Sequence, residues 1–205
     1  MLLYDNPISS NALKVRFLLA ELDQPYETRE VPLERPRPDW YVAVNPVAGV
    51  PTLDDDGYVL AESNTILRYL ATKAGATWIY PTDLPARATI NEFLDRWSLT
   101  FRPAFFRHEM VALGFGNGGF DRVPRDPDGA RSVADEIAPT LRILDGLLGS
   151  DAANVGTFTI ADCAAAPVLY RTTHTGLDLE PYPGIRALRE RVLARPAFAA
   201  AGPVI

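Results

Sequence analysis

Apolar residues recur along this 205-residue chain in two different patterns. Up to about residue 77, short runs of strand character alternate with stretches of helical period. Leu2-Leu3-Tyr4 reads as a strand, Asn11 to Leu22 as a helix carrying Leu13, Val15, Phe17, Leu18 and Leu19, and Tyr26 to Val31 as a second strand. Trp40 to Val44 is a short helical or irregular stretch. Thr52-Leu53 and Tyr58-Val59-Leu60 flank Asp54-Asp55-Asp56-Gly57, whose Asp-Gly pair signals a tight hairpin. A helix from Ser63 to Lys73 closes the series. The predicted order is β-α-β-α-β-β-α, with the first two strands joined through a helix and the last two through a turn.

Beyond residue 86 the pattern is helical almost throughout. Helices are predicted over Ala86 to Leu113, Ala130 to Leu148, Ile160 to Thr173 and Gly184 to Ala194, which together make an all-α bundle. Pro103 lies inside the first of these and should kink or interrupt it. Gly114 to Gly129 is rich in Gly, Pro and Asp and reads as a loop, irregular or acting as a lid. Trp78 to Pro85 carries two prolines and no helical period, so it reads as a linker. The expected domains are therefore 1–77 and 86–205, joined by 78–85.

Composition narrows the function classes. A hydrophobic content of 47% with 22% charged residues is that of an ordinary globular protein. The net charge of −6 leaves no broad positive surface to neutralise a phosphate backbone, which argues against nucleic acid. Neither a signal-like N-terminus nor an apolar run long enough to span a bilayer is present, so a cytoplasmic location without membrane insertion is expected. One cysteine, Cys163, excludes an internal disulfide, a Cys-rich metal site and a Cys-x-x-Cys dithiol, and reads as a small buried hydrophobe. With only His108 and His174 besides, no metal centre is expected.

Three segments carry candidate chemistry. Ser9-Ser10-Asn11 stands between the first strand and the first helix, and any of the three residues can cap that helix. The same helix start offers unpaired N–H groups and a positive dipole end to an anion such as a thiolate. Asn45 to Leu53 contains Gly49-Val50-Pro51 directly before a strand, where a proline withholds a ladder donor. A cis Val50-Pro51 bond would turn the Val50 N–H and C=O outward toward an extended peptide ligand, whereas a trans bond would make Pro51 an ordinary edge proline. Glu62-Ser63 precedes the next helix, where Ser63 can cap it or leave N–H groups for a carboxylate.

Taken in order, Ser-Ser-Asn, Lys14-Val15-Arg16, Asn45-Pro46 through Val50-Pro51-Thr52-Leu53, the hairpin and Glu62-Ser63 resemble the glutathione transferase superfamily over the whole first half. Phe158-Thr159-Ile160-Ala161-Asp162 resembles that family's capping box and hydrophobic staple. Arg195-Pro196-Ala197-Phe198 resembles its C-terminal helix exit. The resemblance implies a thioredoxin-like N-terminal domain, an all-α C-terminal domain, glutathione as co-substrate and a homodimer.

By the same resemblance, Ser9 stands in the register of a serine-type catalytic hydroxyl, six positions before Val15, with Ser10 and Asn11 as alternatives. Tyr4 falls inside the strand and is not the tyrosine of tyrosine-type members. Gly49, Val50 and Pro51 would hold the cysteinyl part of glutathione, and Glu62 and Ser63 its γ-glutamyl end. Many relatives carry Gln, Lys or Arg where this chain has Gly49, so a side-chain contact to glutathione is missing there. Trp97, Phe101, Arg102, Phe105 and Phe106 would line the pocket for a small hydrophobic, aromatic or anionic electrophile, although aromatics at helical spacing also build core. The implied activity is glutathione conjugation in detoxification. Glutathione-dependent isomerase, dehalogenase, peroxidase or disulfide reductase chemistry, and a non-catalytic binding role, stand as alternatives.

Overall fold

The first half of the chain forms four strands and three helices in the computed structural model, which describes residues 1–116, 121–149 and 158–205. They run β1 (Leu2–Asp5), α1 (Ser10–Glu21), β2 (Glu27–Glu30), α2 (Asp39–Val42), β3 (Thr52–Asp55), β4 (Tyr58–Leu60) and α3 (Ser63–Lys73). The sheet order is β2-β1-β3-β4, with β1 parallel to β2 and antiparallel to β3, and β3 antiparallel to β4. Each pairing follows from its connection. α1 carries the chain back between β1 and β2, while the two-residue Asp56-Gly57 turn reverses it between β3 and β4. Both turn residues have positive φ, 54° and 92°, as a type I′ hairpin requires. This is the element order the residue pattern predicts and the thioredoxin-like arrangement the resemblance implies.

The second half is helical: α4 (Leu84–Arg96), a π-helical turn (Trp97–Phe101), α5 (Arg102–Leu113), α6 (Pro127–Gly149), α7 (Ile160–Thr175), α8 (Pro183–Leu193) and α9 (Pro196–Ala200). The single helix expected over 86–113 is thus divided. Pro103 has no N–H and its ring crowds the carbonyl four residues back, so a wide turn relieves the ladder. The Arg102 N–H accordingly donates to Trp97 O, five residues back. A two-residue ladder, β5 (Phe115–Gly116) with β6 (Asp121–Arg122), follows α5. Gly114 makes this reversal possible: its φ is +69°, and a Cβ there would meet Val123 O at 2.2 Å. The middle of the expected 114–129 loop, residues 117–120, lies outside the described residues.

α1 joins the two halves. Ala12 to Leu19 are all buried because α1 packs against both α3 and α7. Phe17 meets Phe158 and Phe198 edge-on, with ring centroids 5.6 and 5.1 Å apart. Ile160 N–H donates to Ile79 O at 3.1 Å, and Arg195 pairs with Glu21. α7 begins with a capping box in which the Thr159 N–H donates to Asp162 Oδ2 at 2.9 Å, and Asp162 Oδ1 accepts from Arg191 Nη2 at 2.5 Å. Cys163 is fully buried beside it, and burial pushes its thiol pKa well up, so it packs as an inert apolar side chain. Among the described residues no helix is long and apolar enough to cross a membrane.

Candidate active site

The loop from β1 to α1 is held by its own polar groups. Asn6 donates from Nδ2 to Val31 O at 2.9 Å, and its Oδ1 accepts the Ile8 N–H at 3.1 Å. The Pro7 carbonyl accepts from Arg16 at 3.1 Å, and the Ile8 carbonyl accepts from Arg171 of α7. Ser9 then takes the N-cap position, where its Oγ accepts the Ala12 N–H at 3.2 Å. That bond uses an oxygen lone pair and leaves the hydroxyl proton without a protein acceptor among the described residues. Capping and donation to an anion are therefore compatible roles for one side chain.

A cleft of about 220 Å³ opens between this loop, the segment at Gly49-Val50 and α5. Ser9, Ser10 and Asn11 line it on one side and Arg102 and Phe106 on the other. Val50-Pro51 is a cis peptide bond. The Val50 N–H and C=O have no partner among the described residues, whereas the Gly49 carbonyl accepts from Tyr41 and, at 3.0 Å, from Asn45. A Cβ built on Gly49 would meet nothing within 4 Å.

Pro51, Glu62 and Ser63 lie outside the cleft lining. Ser63 is the first residue of α3 rather than its cap. Glu62 takes the cap position with φ +66° and makes no side-chain capping bond. A non-glycine residue in this conformation is strained, which is uncommon outside functional segments. With Ile66 N–H the first to find a helical acceptor, the N–H groups of Ser63 to Thr65 are unpaired among the described residues at the start of α3. This helix start is linked to α1 through Lys14, whose Nζ donates to Asn64 Oδ1 at 2.9 Å. Burial lowers the Lys14 pKa to about 7, helped by the Arg102 charge and opposed by Glu62.

Of the five aromatic and cationic residues expected in the pocket wall, Arg102 and Phe106 face the cleft, but Trp97, Phe101 and Phe105 do not. These three are at most 2% exposed and belong to the core, with Trp97 packed between Phe93 and Phe105. They form one stripe of the helix at four-residue spacing, and Arg102, Phe106 and Glu109 form the next.

The cleft also contains residues the sequence reading did not single out, chiefly Arg37, Glu109, Phe115 and Arg171. Arg171 and Glu109 form a buried ion pair, with side chains only 7% and 4% exposed. The usable signal was a charge on a largely apolar helix: between Asp162 and Arg171, α7 buries Cys163 to Leu169.

Comparison with known proteins agrees with this architecture. The family model described as the glutathione S-transferase N-terminal domain matches residues 3–78, and the glutathione S-transferase C-terminal domain model matches 117–191. Glutathione S-transferase GstB of Escherichia coli K12 is 30% identical over 202 residues, covering 92% of this chain and 91% of that protein. A probable maleylacetoacetate isomerase of Caenorhabditis elegans is 28% identical, covering 98% and 92% respectively. Among solved structures, a theta class glutathione S-transferase from Xanthomonas axonopodis pv. citri with glutathione bound superposes with a TM-score of 0.84 at 24% identity, over 100% of this chain and 97% of that one. With both halves matched by that family's models and a relative aligned nearly end to end, the chain belongs to the cytosolic glutathione S-transferase superfamily.

Proposed function

We propose that the protein is a glutathione transferase in which Ser9 stabilises the glutathione thiolate for attack on a small electrophile held against α5. Val50 pairs through its backbone with the cysteinyl part of the tripeptide. The start of α3, with Glu62 and Ser63, takes the γ-glutamyl end. The observation that carries this reading is the Ser9 hydroxyl, which caps α1 through its oxygen and keeps its proton available at the cleft. A thiol of pKa about 8.5 needs roughly 2.7 kcal/mol to shift by about two units. A hydrogen bond to the anion supplies about 1.5–3 kcal/mol and the helix start about 0.3–1 kcal/mol more, so no general base is required.

Replacing Ser9 by Ala tests the reading through the pH titration of bound thiolate absorbance and steady-state kinetics. The bound thiol pKa should rise by about 1–2 units and kcat/KM at neutral pH fall roughly 10- to 100-fold, as expected for losing a charge-assisted bond. Ser10→Ala should leave both nearly unchanged. A wild-type protein that ignores glutathione, or a Ser9→Ala variant of full activity, would remove the assignment. Glutathione-dependent isomerisation is a second reading, supported by the near full-length likeness to the nematode isomerase. By the same family reading the protein works in the cytoplasm as a homodimer, with domains at 1–77 and 86–205. Light scattering that reported a monomer would refute the dimer.

A further inference from the structure

The cleft is cationic although the chain carries a net charge of −6: three arginines and one glutamate line it. Two of the arginines are committed. Arg37 donates to the carbonyls of Ala48, Pro32 and Glu34 at 3.0–3.2 Å, and Arg171 is bound to Glu109 and the Ile8 carbonyl. Arg102 is different. Its polar contact among the described residues is a long 3.4 Å approach to the Ser10 hydroxyl, and its guanidinium lies 5.2 Å from the Phe106 ring centroid. No carboxylate stands within ion-pair distance of it among the described residues, because Glu109, the acid lining the cleft, pairs with Arg171.

A partly buried guanidinium with most of its five donors unspent is costly unless something anionic completes it. We propose that Arg102 is a specificity-determining residue that seats a carboxylate on the second substrate, so that preferred electrophiles are organic anions with an apolar body. The fork geometry suits a planar carboxylate bidentately, and Phe106, Phe115, Ile8 and Leu33 supply apolar surface beside it. The electrophile's reacting carbon then faces the Ser9 side of the cleft. This rests on the transferase reading above, which places the glutathione sulfur at Ser9 and its peptide along Val50, away from α5.

Two matched electrophiles test it: 4-chloro-3,5-dinitrobenzoate and its neutral methyl ester. In both, the thiolate sulfur forms a C–S bond at the chlorinated carbon and chloride leaves with the C–Cl electron pair, while the thiol proton has gone to solvent. After correction for the uncatalysed rates, the wild-type protein should favour the carboxylate by about tenfold or more in kcat/KM. Arg102→Gln should cut the carboxylate rate about 10- to 100-fold and the ester rate by less than about threefold, with Arg102→Lys intermediate. Equal preference in the wild type would overturn the proposal. So would an equal loss on both electrophiles, which would put Arg102 on the thiolate, or a raised KM for glutathione with either, which would put it on the tripeptide.

Calorimetric binding of unreactive 3,5-dinitrobenzoate against its methyl ester separates this inference from the transferase reading. Selective binding of the anion, lost in Arg102→Gln and partly kept in Arg102→Lys, supports the inference even if no conjugation is seen. Absence of that selectivity refutes it even in an active enzyme.

Discussion

The two walls of the cleft are built by different means. On the α/β side the polar groups offered to a ligand are largely backbone and helix ends: the Ser9 cap and the open Val50 N–H and C=O in the cleft, beside Ile8, Leu33 and Arg37, and outside its lining the start of α3, unpaired among the described residues. On the helical side it is side chains, Arg102, Phe106, Glu109 and Arg171, projecting from α5 and α7. A backbone wall is fixed once the fold forms and tolerates sequence change, whereas a side-chain wall can be rewritten one residue at a time. The first suits a constant ligand and the second a variable one.

The sharpest way to break this division is through Arg171, which belongs to the helical wall yet holds the Ile8 carbonyl of the Ser9 loop. Arg171→Ala leaves Glu109 buried without its partner and should cost about 3–5 kcal/mol in urea unfolding. The Arg171→Met/Glu109→Met pair should recover most of that stability, because no uncompensated charge remains. Activity need not follow stability. If the double variant is stable but its bound thiol pKa has risen, the helical wall also sets the geometry of the backbone wall.

Lys14 gives the next effect, read against pH. Its folded pKa of about 7 lies below the unfolded value near 10.5, so between these limits the unfolded chain holds a proton that the folded chain has lost. Stability from this group therefore rises with pH across that window, by up to about 1.4 kcal/mol per unit, and is flat below it. Lys14→Met should gain most over wild type near pH 6, and its advantage in urea midpoint should shrink steadily toward pH 9. Loss of the Asn64 bond adds a constant offset and leaves the slope untouched. A pH-independent difference would show that the buried ammonium does not titrate near neutrality.

The smallest effect adds a side chain to the backbone wall. A side chain fits at Gly49, and its φ is not in the positive range. Gly49→Gln should introduce one hydrogen bond to the tripeptide and lower the KM for glutathione about two- to tenfold, at roughly 0.5–1.5 kcal/mol per bond. The preference between charged and neutral electrophiles should not move. A change in that preference would mean the two walls are not separable.

Much of the backbone wall was legible in the sequence because its signals are local. An Asp-Gly pair between strands specifies a turn and a serine before an apolar helix specifies a cap, just as in the helical half the Thr159 to Asp162 box marks the start of α7. Locality also explains the errors. Ser63 looked like a cap, but the strained Glu62 backbone moves the helix start so that Ser63 is its first residue. Pro103 announced a break without saying that a π turn would absorb it.

The helical wall shows where local signals end. Trp97, Phe101 and Phe105 share one stripe and Arg102, Phe106 and Glu109 the next, and both stripes are visible in the residue spacing. Which stripe meets α4 and the core, and which meets Ser10, depends on the wide turn at 97–101 and on how α5 docks. Arg171 finds Glu109 across 62 residues of chain and Ile8 across 163. The sequence by itself determined the order of the main elements, a cap among Ser9, Ser10 and Asn11, and the family, because hydrogen-bond valence and hydrophobic period act over a few residues. Tertiary structure alone decided which arginine of the cleft was left without a carboxylate among the described residues, because pairing in a buried cleft depends on distances that only packing sets.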